Sequence, residues 1–133
     1  MRTSQIVAVD HVVLEGGPAC EPDLVWLYQD VVGLRQLRAG TEGLATASDE
    51  AWLRFRSGNL ELRYRLVPRP ALETVACRLV VEVASLPEAM EAMEERGVAF
   101  DRLRGLNFTD RRVSLLDPGG NRIEIKQHWP GAF

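Results

Sequence analysis

The feature of this sequence that most constrains its fold is an approximate internal repeat. In each half, a strand-like run is followed by an amphipathic helical pattern that ends at a glycine, Gly33 or Gly97, and then by alternating strand-like runs. Glu61 and Glu124 occupy equivalent places in the last run of each half. Because repeated units stack to bury a shared core, we expect an α+β domain of two βαβββ modules. These modules should form a curved mixed sheet with helices on its outer face.

The chain has the length of one domain. Its 133 residues, of which 46% are hydrophobic, suffice to bury a single core. Pro68 and Pro70 disfavour helix at the residues before them, so they mark a stiff connection between the halves. The predicted boundaries are one domain at 1–133, with module 1 at about 5–67, a linker at 68–76 and module 2 at about 77–129.

The order of the patterns predicts the individual elements. Ser85 and Glu88 fit a capping box, so the second helix should begin there. The small residues at 40–48 are typical of a mobile loop. The predicted strands are 6–14, 34–38, 52–56 and 60–66 in module 1, and 78–83, 100–103, 113–116 and 122–127 in module 2.

A hairpin in module 1 has a predictable register. A two-residue turn at Gly58 and Asn59 should pair Arg56 with Glu61, which places charged residues on one face of the hairpin. The other face should be apolar. The residues predicted on the charged face are Trp52, Arg54, Arg56, Glu61, Arg63 and Arg65.

The charge balance excludes several classes of partner. A formal net charge of -3 and a pI near 5.4 give no overall attraction to nucleic acid or anionic lipid. No apolar run reaches membrane-spanning length, and no signal-peptide core follows Met1. We therefore expect a cytoplasmic protein that binds neither nucleic acid nor membrane. Cys20 and Cys77 lack metal-type spacing, so we assign them no role.

Four segments occur in an order and spacing that resemble a known family. They are Val9–Val13, Leu60–Leu62, Arg78–Val83 and the stretch from Asp117 to Ile125, which reads Asp-Pro-Gly-Gly-Asn-Arg-Ile-Glu-Ile. The family is the vicinal oxygen chelate superfamily of glyoxalases, bleomycin-resistance proteins and extradiol dioxygenases. The resemblance implies paired modules that form a cupped, half-closed sheet around a divalent metal.

By this resemblance, His11, Glu61 and Glu124 fall on metal-ligand positions, and their groups suit Ni, Zn, Fe or Mn. Arg78 departs from the pattern, because metal-binding relatives usually place a histidine there and a guanidinium does not deprotonate to become a ligand. A guanidinium at this position is expected instead to neutralise the two carboxylates through hydrogen bonds.

Three functions follow from these residues. The first is a binding protein, or a metal-independent enzyme, that takes a small polar or anionic molecule in its cavity and needs no cofactor. The second is a metal-dependent lyase, isomerase or dioxygenase in which Glu61 or Glu124 is the catalytic carboxylate. The third is an interaction module. We also expect a homodimer. The residues predicted to bind the ligand are Trp52, Arg54, Arg63, Arg78 and Lys126.

Each candidate also has a purely structural interpretation. His11 on an apolar strand is compatible with a hydrogen-bonded core histidine. The arginines, including Arg112, are compatible with a solvated sheet face, and Trp52 with packing at the rim of the sheet.

Overall fold

The alternating segments form eight strands in the computed structural model, which describes residues 11–37, 51–58, 60–70, 77–104 and 111–129. The predicted part of the first strand at 6–10, the loop at 40–48 and Asn59 lie outside these ranges. The strands are β1 (His11–Gly16), β2 (Arg35–Leu37), β3 (Ala51–Ser57), β4 (Leu60–Leu66), β5 (Cys77–Val83), β6 (Asp101–Arg104), β7 (Arg111–Leu116) and β8 (Arg122–Gln127).

The strands form two four-stranded sheets with the same order. Sheet A runs β1-β4-β3-β2 and sheet B runs β5-β8-β7-β6. In each sheet the first pair is parallel and the other pairs are antiparallel, so both sheets are mixed. The two βαβββ modules are therefore confirmed. The predicted hairpin register is also confirmed, since Arg56 lies opposite Glu61 and Phe55 lies opposite Leu62.

Each module has a helical connection between its first two strands. In module 1 a 3-10 turn (Pro18–Cys20) leads into helix α1 (Glu21–Val25) and then into a wider π-helical stretch (Trp26–Val31). Gly33, with φ of 92°, lets the chain leave this stretch in a conformation that other residues rarely adopt.

Helix α2 (Leu86–Glu95) makes the equivalent connection in module 2. Its predicted cap is present, because the Ser85 hydroxyl accepts a hydrogen bond from the backbone N–H of Glu88 at 3.3 Å. Leu86, Ala89 and Met93 are the buried residues of this helix.

A single hydrophobic core joins the two modules. It contains residues of both sheets and both helical segments, including Tyr28, Phe55, Met93, Ile123 and Ile125, all of which are fully buried. Among the described residues, no helix is both long enough and apolar enough to cross a membrane.

The repeat is less regular at the start of β5 than the sequence suggests. His11 is the Cα partner of Glu61 in sheet A, but the Cα partner of Glu124 in sheet B is Val80. The pairing shifts between Cys77 and Leu79, so Arg78 occupies an irregularity of the β-bulge type. The sequence did not predict this irregularity, because a bulge is not visible in an alternating pattern.

The turn that precedes β8 connects the modules through a buried carboxylate. Asp117 accepts hydrogen bonds from the hydroxyls of Tyr28 at 2.6 Å and Tyr64 at 2.9 Å, both of which belong to module 1. It also accepts from the backbone N–H groups of Gly119 and Asn121, each at 2.9 Å. Burial raises the pKa of Asp117, although these hydrogen bonds oppose the shift.

Two further contacts fix the same turn against module 1. The Asn121 side-chain nitrogen donates to the Tyr64 hydroxyl at 2.7 Å and to the backbone oxygen of Glu15 at 2.8 Å. Gly119 lies so close to Tyr64 that an added Cβ would stand 1.9 Å from the hydroxyl oxygen. The Asp-Pro-Gly-Gly-Asn turn therefore holds the two modules together, a role that its turn-forming residues alone did not reveal.

Candidate functional site

Each sheet has an open face, by which we mean the side that points away from the hydrophobic core. Strand alternation places one residue in two on this face, and Glu61 and Glu124 both lie there, in sheets A and B respectively. Four of the large apolar residues that remain exposed in the described chain share these faces. They are Val13, Val80, Leu103 and Leu116, with 37% to 50% of their surface exposed.

Glu61 is the centre of an arginine cluster on the open face of sheet A. Arg54 binds it with two parallel hydrogen bonds of 2.9 Å, from Nε to Oε2 and from Nη2 to Oε1. Arg63 Nε donates to Oε2 at 2.6 Å, and Arg56 Nη2 donates to Oε1 at 3.3 Å. We call Glu61 and these three residues the arginine cluster. Only 3% of Glu61 is exposed, so its carboxylate is surrounded by guanidinium groups rather than by water.

This environment determines the charge of Glu61. Hydrogen bonds from Arg54 lower its pKa to about 2, aided by Arg63 and opposed by burial. The carboxylate is therefore ionised at neutral pH. Because a general base works best with a pKa near the operating pH, Glu61 is poorly suited to accept a proton from a substrate.

The arginine cluster retains unused hydrogen-bond donors. Arg63 engages Glu61 only through Nε, and Arg56 only through Nη2, and neither makes another hydrogen bond within the described part of the chain. Their side chains are 30% and 40% exposed, whereas that of Arg54 is 9% exposed. Arg35, the exposed Cα partner of Arg56 on β2, adds a further positive charge beside them. Arg56 and Arg63 therefore present free N–H groups to solvent.

A second charged group continues along the same face. Arg65 forms an ion pair with Glu15 and lies over the ring of Trp52, 5.6 Å from its centre. The Trp52 indole nitrogen is buried and has no hydrogen-bond partner within the described residues. The face of the Trp52 ring is therefore in contact with the guanidinium group of Arg65.

Glu124 has a different environment on the open face of sheet B. Arg112 Nη1 donates to Glu124 Oε1 at 3.0 Å, and Lys126 lies opposite Arg112 in the sheet. Burial raises the pKa of the nearby Cys77 thiol, and Glu124 adds to this shift. The pair of Arg112 and Glu124 has one guanidinium group for one carboxylate, whereas the arginine cluster has three guanidinium groups for one carboxylate.

Guanidinium groups contact both carboxylates: the arginine cluster binds Glu61, and Arg112 binds Glu124. The roles expected of Arg78 and His11 stay predictions. Arg78 and His11 are both exposed. Arg56 was absent from the predicted ligand-binding residues, although its pairing with Glu61 in the hairpin register was a signal that could have identified it.

Two cavities lie away from the arginine cluster. One of about 690 Å³ lies between α2 and sheet B and is lined by Leu86, Met90, Val113 and Trp129 among others. Another of about 440 Å³ lies between the modules on the core side, against Phe55. Neither is lined by the described residues of the arginine cluster, which lies on the opposite face of sheet A.

Comparison with known proteins identifies the family. The model of the glyoxalase/bleomycin resistance protein/dioxygenase superfamily matches residues 25–125. The chain belongs to this superfamily. A comparison with curated proteins found no significant match.

Solved structures of the superfamily type share this fold. A protein from Bacillus anthracis described as a glyoxalase family protein is 21% identical with a TM-score of 0.73, over 97% of this chain and 100% of its own. The fosfomycin resistance protein FosX from Listeria monocytogenes is 14% identical with a TM-score of 0.68, over 97% of each chain. TnmS3, an antibiotic binding protein from a Streptomyces species, is 20% identical with a TM-score of 0.64, over 96% of this chain and 100% of its own.

The metal site implied by the superfamily fits these residues poorly. The described residues contain no group of three His, Cys, Asp or Glu side chains arranged to hold a metal ion. Glu61 has its carboxylate oxygens occupied by three guanidinium groups, and a cation there would face their positive charges. The described groups in contact with the Glu61 carboxylate are guanidinium donors rather than metal ligands.

Proposed function

We propose that this superfamily member binds a small anionic molecule on the open face of sheet A, without a bound metal. The observation that carries the proposal is the arginine cluster, in which three guanidinium groups share one carboxylate and two of them keep unused donors. Guanidinium groups bind carboxylate, phosphoryl and sulfonyl oxygens with paired hydrogen bonds. The protein is then a small-molecule binding protein or a metal-independent enzyme.

The structural relatives are compatible with this proposal. One of them is a fosfomycin resistance protein and another is an antibiotic binding protein, so the fold accommodates small molecules. The metal-dependent lyase, isomerase or dioxygenase remains a prediction from family resemblance, and the contacts of Glu61 do not favour it. Of the residues predicted to bind ligand, Arg54 and Arg63 belong to the arginine cluster.

The proposal is tested by calorimetric titration with acetate, benzoate, sulfate and inorganic phosphate in the presence of a metal chelator. At least one of these anions should bind despite the chelator. Arg63→Gln should weaken that binding about tenfold or more, because a hydrogen bond to a charged group contributes about 1.5–3 kcal/mol. Arg102→Gln is the matched control, since Arg102 is an exposed arginine on β6 and its loss changes net charge equally.

Two outcomes would overturn the proposal. One is that none of the anions binds at millimolar concentration. The other is that binding occurs only after a divalent ion is restored, which elemental analysis of protein purified without chelator would reveal independently.

We further propose that the protein is a homodimer that uses its open faces. Val13, Val80, Leu103 and Leu116 support this, because exposed apolar residues on one side of a sheet favour association. A second copy would also cover the open face of sheet A and enclose a ligand there. Sedimentation at micromolar concentration should show a species of twice 14.9 kDa, and a species of 14.9 kDa alone would contradict the proposal.

A further inference from the structure

Glu61 holds two arginines that also face solvent. Arg63 lies two positions after Glu61 on β4 and donates to it from Nε at 2.6 Å, and Arg56, the Cα partner of Glu61 on β3, donates from Nη2 at 3.3 Å. The other nitrogens of both guanidinium groups take no part in these bonds. Because the Arg63 and Arg56 side chains are 30% and 40% exposed, those nitrogens can reach a ligand.

The two arginines use different oxygens of one carboxylate. Arg63 binds Oε2 and Arg56 binds Oε1, so Glu61 brings together guanidinium groups from two neighbouring strands. Glu61 is buried and lies on a strand that is paired on both sides, which limits the movement of its carboxylate. An arginine that is already held loses less conformational freedom when it binds a ligand. A fixed carboxylate therefore prepares both groups for the same small anion.

We propose that Glu61 is a positioning residue of the anion site, which holds Arg56 and Arg63 so that their remaining N–H groups reach one anion. This proposal rests on the proposed anion-binding function and assigns a role within it. Glu61 does not itself contact the anion in this role, because hydrogen bonds from Arg54 keep its pKa at about 2 and an ionised carboxylate repels an anion. The carboxylate that family resemblance assigns to a metal thus orders guanidinium groups instead.

This role depends on the length of the Glu61 side chain. Aspartate carries the same charge on a side chain that is shorter by one carbon–carbon bond of about 1.5 Å. The Arg56 contact, at 3.3 Å, is already long for an N–H···O hydrogen bond, so Glu61→Asp should lose it first and loosen the Arg63 contact as well. A role of charge alone would survive this substitution.

The test repeats the calorimetric titration with acetate, benzoate, sulfate and inorganic phosphate in chelator, on the wild type and on Glu61→Asp. Each anion that binds the wild type should bind Glu61→Asp about fivefold or more weakly, because ordering one long side chain on binding costs about twofold to tenfold in affinity and two arginines are released. Glu15→Asp is the matched control, since Glu15 lies on the same face and pairs with Arg65. It should change the affinities by less than about twofold.

A second measurement needs no variant at position 61. In the protein without ligand, NMR should show that the Arg63 Nε–H is protected from exchange with solvent relative to that of the exposed Arg102, because Glu61 accepts its hydrogen bond. Adding an anion should leave this protection in place. Thermal unfolding shows whether Glu61→Asp is folded, and in the folded variant the protection should fall.

The possible failures are distinct. If Glu61→Asp binds the anions as tightly as the wild type, or if Glu15→Asp weakens binding equally, the anion site stands but Glu61 does not position it. An Arg63 Nε–H that exchanges as fast as that of Arg102 would also overturn the role, even if Glu61→Asp does not fold. If the wild type binds none of the four anions, the proposed function fails and the positioning role falls with it.

Discussion

The buried junction at Asp117 should contribute a large part of the stability of this fold. Asp117→Ala removes the acceptor of two tyrosine hydroxyls and two backbone N–H groups, in a place where Asp117 is 3% exposed and Tyr28 and Tyr64 are fully buried. A buried donor that loses its acceptor costs about 1–3 kcal/mol, so the four together predict a loss of about 4 kcal/mol even at the lower end.

The assay for this prediction is chemical and thermal unfolding followed by circular dichroism. A loss of about 4 kcal/mol corresponds to a fall in melting temperature of about 10–20 °C for a domain of this size. Tyr28→Phe, which removes one donor and leaves the carboxylate in place, should cost only about 1–2 kcal/mol. Asp101→Ala is the control, because Asp101 is exposed on β6.

A small effect of Asp117→Ala would contradict this role of the junction. If Asp117→Ala changes the free energy of unfolding by less than about 1 kcal/mol relative to Asp101→Ala, the junction does not hold the modules together. The same conclusion would follow if Tyr28→Phe and Asp117→Ala had equal effects, because the other three donors would then contribute nothing.

Three further predictions concern single residues. Gly119→Ala should destabilise the protein by about 2 kcal/mol or more because its Cβ would overlap a tyrosine hydroxyl, whereas Gly17→Ala, with no atom within 4 Å of the new Cβ, should be near neutral in the same unfolding assay. Glu61 has a folded pKa of about 2, below its unfolded value, so it stabilises the fold above about pH 4.5 and this contribution should be lost as pH falls towards 2. A Glu61→Gln variant should lack this part of the pH dependence, and equal pH profiles would contradict the assignment. Arg35→Glu should raise stability by about 0.2–1 kcal/mol, because it replaces a like-charge pair with Arg56 by an opposite-charge pair, and it should also weaken sulfate binding in calorimetry.

The sequence predicted the fold because its strongest patterns are local. Alternation in β4 and β8 defined which residues face the core, and the glycines at 33 and 97, with φ of 92° and 72°, ended the helical segments as expected. The hairpin register followed from turn length alone. The bulge at Arg78 could not be predicted, because an extra residue in one strand leaves the alternating pattern of its neighbours nearly intact.

The candidate site was predicted only in part, because contacts between side chains on different strands leave no local pattern in the sequence. Strand alternation placed Arg54, Glu61 and Arg63 on one face, which the structure confirms. Which guanidinium reaches which carboxylate depends on side-chain length and on diagonal contacts between strands, and these are not visible in a one-dimensional pattern. The hydrogen-bond partners of Asp117 could not be predicted from the sequence either, because Tyr28 and Tyr64 lie 89 and 53 positions away along the chain.

The most direct test of the anion site is the position of a bound anion on the protein in solution. Arginine side-chain N–H resonances, assigned with single Arg→Gln variants, are followed by NMR while sulfate is added in chelator-containing buffer. We expect the Arg54, Arg56 and Arg63 signals to shift together and saturate with one dissociation constant, while the Arg102 signal does not move. Shifts confined to arginines of sheet B, or equal and unsaturated shifts at all arginines, would contradict the claim that Glu61 organises an anion site.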